Sequence, residues 1–134
     1  MAGKPLILMV EDNELDVSLL REALNDASFD VDIVSVGTCF EAVTFLERAG
    51  KHRDARRPDA ILIDLNLPMD SGDQLLAFIA RTDHFRAIPA AAYSSSQKRL
   101  AGNAVFLPKP DSFDHFDHVI DWLRDSCRTS ALEA

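Results

Sequence analysis

Cysteine is scarce in this 134-residue chain. It holds two, Cys39 and Cys127, and neither belongs to a CxxC or other metal-spaced pattern. A disulfide scaffold and a thiolate metal centre are therefore excluded as organising principles, and two unpaired thiols suit a reducing cytoplasm. No apolar run approaches the ~18 residues that a membrane span needs. The opening Met1-Ala2-Gly3-Lys4 leads straight into a short strand-like run, without the pattern of an export signal. Basic residues are the minority, 14 Lys and Arg against 22 Asp and Glu, for a formal net charge of −8. That balance argues against nonspecific binding to nucleic acid or anionic lipid. No repeat, low-complexity tract or second composition regime marks a further domain. With 47% hydrophobic residues, one packed core is the expectation.

What is present is an alternation of two kinds of segment. Leu6–Val10 and residues 60–64 are nearly continuous apolar runs, as strands buried on both faces of a parallel sheet require. Residues 31–35 are more mixed and suit an edge strand, and 90–93 and 104–107 are two further short candidates. Between them lie helical patterns. Asn13 with Asp16 predicts a capped first helix running to about Ala27, with Val17, Leu20 and Leu24 facing inward. Thr38-Cys39-Phe40-Glu41 and Ser71-Gly72-Asp73-Gln74 both read as capping boxes. The last helix is expected to open near Ser112 and to align Phe113, Phe116, Ile120 and Leu123 on one stripe.

This (βα)5 pattern predicts an α/β fold, a doubly wound parallel sheet of five strands in the flavodoxin-like order 2-1-3-4-5. Such a sheet places its functional crevice at the carboxyl ends of the first and third strands. One segment departs from the pattern. Only residues 95–103 separate the fourth and fifth strands, whereas a parallel crossover takes roughly a dozen or more residues. The helix there is expected to be shortened or absent.

The crevice rule gathers chemistry from distant parts of the chain. Glu11 and Asp12 follow the first strand, and Asp64 ends the third. Three clustered carboxylates repel one another unless a cation joins them, and hard oxygen ligands favour Mg²⁺. Ser94 and Lys109, at the ends of the fourth and fifth strands, add a hydroxyl and an ammonium. A carboxylate nucleophile, a divalent cation, a lysine and a hydroxyl are the parts that handle a phosphoryl group. An acidic pair after a strand is by itself more often a solvated turn; its conjunction with Asp64, Ser94 and Lys109 favours function. His115 and His118, beside Asp114, Asp117 and Asp121, offer no further ligand and read as a solvated helix start rather than a metal site. The basic run 51–57 reads as a solvated loop before it reads as a kinase contact.

Val10-Glu11-Asp12-Asn13, the stretch from Asp64-Leu65-Asn66-Leu67-Pro68 through Met69-Asp70-Ser71-Gly72, then Ser94 and Lys109-Pro110 together resemble the receiver domain of two-component response regulators. The likeness runs from about Leu6 to Cys127. It implies a CheY-like fold and transfer of a phosphoryl group from the phosphohistidine of a sensor histidine kinase to Asp64. It further implies Mg²⁺ held by Glu11, Asp12, Asp64 and the backbone carbonyl of Asn66, with Lys109 pairing to the phosphoryl group across a cis bond to Pro110. Ser94 and Phe106 take the switch positions, and Asn66 and Ser96 the positions that tune the lifetime of the acyl phosphate. The loop 50–59 and the Asp64 stretch look like stand-alone regulators that partner bacterial phytochromes.

The expectation is thus a single cytoplasmic receiver domain over residues 1–134, with its core at about 6–127 and no output domain. It is a phosphoacceptor signalling protein that assists its own modification, rather than an enzyme. Output would pass through docking, a homodimer, or a histidine phosphotransfer protein, with no nucleic-acid or membrane partner. Three rivals come from other classes. A flavodoxin-like cofactor carrier would need a phosphate loop where Glu11-Asp12-Asn13-Glu14 would repel one. A small Mg²⁺-dependent aspartyl-phosphate phosphatase would need a second acid where Asn66 stands. A pseudo-receiver binding module would not need the intact acids and lysine.

Overall fold

A run of consecutive apolar residues in a strand needs cover on both faces, and this chain supplies a helical layer for each. In the computed structural model, which describes residues 4–67, 71–95 and 104–133, five strands form one sheet. They are β1 (Leu6–Val10), β2 (Asp32–Val36), β3 (Ala60–Ile63), β4 (Ala90–Ser94) and β5 (Val105–Pro108). Their order is β2-β1-β3-β4-β5, with every pairing parallel. Helices α1 (Glu14–Asp26), α2 (Cys39–Leu46), α3 (Gly72–Arg81) and α4 (Asp117–Glu133) cover the sheet. The predicted α/β class and strand order are those observed, and the mixed segment is the edge strand β2. The shortened or absent helix expected before β5 falls on residues 96–103, outside the described residues.

Alternate side chains of each strand point to opposite faces, and the core divides accordingly. Leu6, Leu8, Val10, Ile61 and Ile63 pack with Phe45 and Leu46 of α2 and Leu75 and Ile79 of α3. Ile7, Met9, Leu62, Ala91 and Tyr93 pack with Val17, Leu20 and Leu24 of α1, with Ile120 and Leu123 of α4 and with Phe116 just before it. A one-residue slip of β1 would exchange the two sets, so burial on both sides holds its register. That register brings Val10 beside Val36 and Ile63 at the carboxyl edge of the sheet.

Local signals explain the helix starts, with two corrections. Asn13 Oδ1 accepts from the amides of Leu15 and Asp16, and Thr38 Oγ1 accepts from Glu41 N at 3.0 Å. Ser71 stands at the start of α3, yet its hydroxyl donates to the Asp73 carboxylate, and Gln74 N turns to the Ser71 carbonyl. The expected capping box is therefore not formed there. A cap needs the Ser71 oxygen to accept from an amide of the first turn, and with its hydroxyl turned to Asp73 it accepts from none. At the last helix, a short 3₁₀ turn over Phe113–His115 precedes α4. Phe113 lies in that turn and is 42% exposed, off the buried stripe of Phe116, Ile120 and Leu123. A 3₁₀ turn advances three residues per turn, which breaks the 3.6-residue phase assumed for Phe113.

The basic loop after α2 is tied down by its own arginines. Arg56 donates to the Lys4 carbonyl and to Asp32, and Arg57 donates to the His84 carbonyl. Both cysteines are free thiols, Cys39 half-buried and Cys127 buried.

Candidate functional site

Because β1 and β3 end in register, the residues that follow them emerge side by side. Backbone bonds continue the ladder past the strand ends. Glu11 N donates to Val36 O and Asp64 N to Val10 O, each at 2.9 Å, and Lys109 N donates to Ser94 O at 2.9 Å. The side chains that matter are thereby fixed at their roots by the sheet. Glu11 and Asp64 are buried, whereas Asp12 is exposed at the rim. Carboxylate oxygens from Glu11, Asp12 and Asp64 lie within 4.8 Å of one another. This is the one such acidic cluster among the described residues, and the sequence anticipated its three members.

Lys109 threads its ammonium into the cluster. Its Nζ lies 2.6 Å from Glu11 Oε2, 2.7 Å from Asp16 Oδ2 and 3.4 Å from Asp64 Oδ2, with the side chain only 12% exposed. The Tyr93 ring lies beneath it, 5.8 Å from Nζ to the centroid. Burial by itself would lower the lysine, but the close contacts to Asp16 and Glu11 and the charges of Glu11 and Asp64 outweigh it and leave its pKa raised. Burial acts the other way on Glu11, pushing its carboxyl up to about 7 against the pull of Lys109. The Lys109-Pro110 peptide is trans, contrary to the cis bond that the resemblance implied. Trans is the favoured form of an X–Pro bond by about 0.5–1 kcal/mol, and the ammonium reaches all three carboxylates from it.

The other expected residues cluster around Asp64. Asn66 N donates to Asp64 Oδ1 at 3.0 Å, and Asn66 Nδ2 donates to Ser94 Oγ at 3.1 Å. Ser94 is fully buried. Phe106 is half-buried on β5 and packs against the core on the α2–α3 side of the sheet. Ser96 lies outside the described residues.

Two residues were passed over by sequence reasoning. The sequence pattern places Asp16 only in a helix cap, yet its carboxylate crosses to Lys109, 93 positions away. Its signal was legible, because Asp16 stands one helical turn before buried Leu20 and so shares the inward face. Gly72 opens α3 where a Cβ would stand 2.3 Å from Asp64 O. No sequence signal specifies that contact. The two histidines follow their solvated reading, His115 Nδ1 pairing with Asp111 at 2.8 Å and His118 Nε2 with Pro108 O at 2.8 Å.

Four carboxylates around one ammonium leave a surplus of negative charge. Glu11 Oε2 is fully buried and meets Lys109 as an ion pair without an aligned hydrogen bond. An all-oxygen donor set of this kind, with open positions at the exposed Asp12 side, fits a hard divalent cation.

The fold, the strand-end acids and the lysine define a receiver, and residues 7–119 match the response regulator receiver domain family, to which this chain belongs. Within that family its similarities include two phytochrome response regulators. The response regulator Rcp1 of Synechocystis sp. is 33% identical over 91 residues, 68% of this chain and 62% of Rcp1. The match thus spans less than two thirds of Rcp1's length. The structure of the phosphorylated cyanobacterial phytochrome response regulator RcpA aligns with a TM-score of 0.79 at 28% identity, over 96% of each chain. The bacteriophytochrome response regulator AtBRR aligns at 0.74 and 30% identity, over 92% of this chain and 94% of its own. The Mn²⁺-bound form of Rcp1 aligns at 0.72 and 27% identity, over 93% of this chain and 90% of that one. Among the described residues no helix is long and apolar enough to cross a membrane.

Proposed function

We propose that this receiver accepts a phosphoryl group on Asp64 from the phosphohistidine of a sensor histidine kinase of the phytochrome type, and so switches its association with other proteins. The observation that carries the reading is the Asp64 carboxylate itself, buried at the end of β3 with the Lys109 ammonium 3.4 Å from Oδ2 and two further acids beside it. One Asp64 oxygen attacks phosphorus in line; the P–O bond forms as the P–N bond breaks, and the imidazole leaves with the electron pair and takes a proton. Lys109 offers its N–H groups to the transferred oxygens, and Ser94 Oγ donates to one of them after giving up its bond from Asn66. Mg²⁺ held by Glu11, Asp12, Asp64 and the Asn66 carbonyl would neutralise charge on the phosphoryl oxygens. The half-buried Phe106 turns inward as Ser94 moves.

Support for a phytochrome-type kinase comes from the regulators named above; a relay through a histidine phosphotransfer protein or a homodimer remains open to the phosphorylated state. The test is incubation with acetyl phosphate and Mg²⁺, read by intact mass and sedimentation, with a phytochrome-type kinase as second donor. One phosphoryl adduct, lost in Asp64→Asn, is expected. No adduct from either donor, with no response to beryllofluoride, would assign the chain to the phosphorylation-independent binding modules.

A further inference from the structure

Asp16 is the acid at this site that the chemistry above leaves without a task. It reaches in from the first turn of α1, and its own amide is held by Asn13 Oδ1, so the carboxylate sits on a well-anchored backbone. Its Oδ2 lies 2.7 Å from Lys109 Nζ, while the same ammonium stands 3.4 Å from Asp64 Oδ2. The lysine is therefore held closely by α1 and keeps only a long hydrogen bond to the acceptor. Glu11 shares that pull at 2.6 Å, but Glu11 also belongs to the acidic cluster with Asp12 and Asp64. A cation there competes with Lys109 for Glu11. Asp16 is not among the three clustered acids, so a cation held by them does not compete for it directly.

We propose that Asp16 is a positioning residue that holds Lys109 back from Asp64 in the resting chain and competes with the phosphoryl group for its ammonium. The proposal rests on Asp64 being the acceptor. Lysine has three N–H donors on a flexible stem, and a phosphoryl group brings a larger charge than one carboxylate. Phosphorylation therefore pulls Lys109 off Asp16, and the strength of that contact sets how readily the active arrangement forms. The side chain of Asp16 is 26% exposed, so the released carboxylate can turn to solvent.

The contact makes a signed prediction. Asp16→Asn keeps the size of the side chain and removes its charge, so Lys109 is freed toward Asp64. Beryllofluoride affinity in saturating Mg²⁺ should rise about five- to tenfold, the worth of a half-buried ion pair. Glu14→Gln removes an equal charge from an exposed neighbour on the same turn and should shift affinity by less than about twofold. Asp16→Ser reads the same quantity with a shorter side chain, should the asparagine variant fold poorly. A role confined to stability would lower the unfolding midpoint and leave beryllofluoride affinity alone. Unchanged or weaker binding in both Asp16 variants overturns the proposal, as does an equal gain in Glu14→Gln, which would make the effect one of bulk charge. If the wild-type chain takes up no beryllofluoride, the acceptor assignment falls and this proposal falls with it. Wild-type uptake with unaltered variants removes this proposal alone.

Discussion

Gly72 has no room for a side chain because the carbonyl oxygen of Asp64 stands 2.3 Å from where its Cβ would be. The first residue of α3 and the residue at the end of β3 are thus in direct backbone contact, with Ile63 Cγ2 at 3.0 Å closing the other side. Alanine in a helix is ordinarily favoured over glycine by about 1 kcal/mol, but here it must displace backbone. Gly72→Ala should destabilise the chain by about 1–3 kcal/mol in urea unfolding and slow acetyl-phosphate labelling, because α3 is pushed away from Asp64. A variant more stable than wild type would show that the helix can shift freely.

Asp64→Asn should remove labelling and stabilise the metal-free chain. Asp64 adds charge to a cluster that already holds Glu11 and Asp12 within 4.8 Å. Relieving that repulsion is worth about 1 kcal/mol, or roughly 3–5 °C in the unfolding midpoint for a chain of this length. Addition of Mg²⁺ should raise the wild-type midpoint and leave the variant nearly unmoved. A lower midpoint in metal-free Asp64→Asn would mean that its contacts to Lys109 and Asn66 outweigh the repulsion.

Lys109→Ala takes away the ammonium that meets Glu11, Asp16 and Asp64. Breaking a buried ion pair from one side costs about 3 kcal/mol when the remaining charge has no escape. The loss should be largest without metal, and Mg²⁺ should restore part of it, which a denaturation series with and without the cation will read. Phosphorylation should no longer alter association. Loss of stability that Mg²⁺ cannot mend would point to packing against Tyr93 instead.

Metal affinity should depend on pH through Glu11. Burial raises this carboxyl from 4.5 to about 7 in the folded chain. A raised carboxyl contributes stability in full below 4.5 and loses it as pH rises through about 7, because the buried charge then has to form. A cation reverses the preference by binding the ionised form and displacing the proton. Mg²⁺ affinity should therefore weaken by about tenfold between pH 8 and pH 6 in titration calorimetry. Glu11→Gln should bind weakly and lose the pH dependence; a flat profile in the wild type would remove Glu11 from the ligand set.

Much of the architecture was legible because the parallel sheet imposes a strong pattern. Leu6–Val10 and the 60–64 run had to be buried on both faces, and the crevice rule then put Glu11, Asp12 and Asp64 together without knowledge of any contact. Lys109 was found in the same way, as the residue that follows an apolar strand. Asn66 and Ser94 were each picked out, but the hydrogen bond between them could not be, since it joins side chains 28 positions apart. Phe113 was misplaced because a 3₁₀ turn changes the phase on which a helical stripe is counted.

By itself the sequence determined the class of fold, the order of the strands and the acids that meet at their ends. Those follow from period, burial and chain connection, which are properties of segments. Tertiary structure alone decided which carboxylates Lys109 touches, that its bond to Pro110 is trans, and that Asp16 faces it across the site. It also decided that α3 can start beside Asp64 only at a glycine. These depend on distances of an ångström or less between groups far apart in the chain, and no local pattern carries information at that scale.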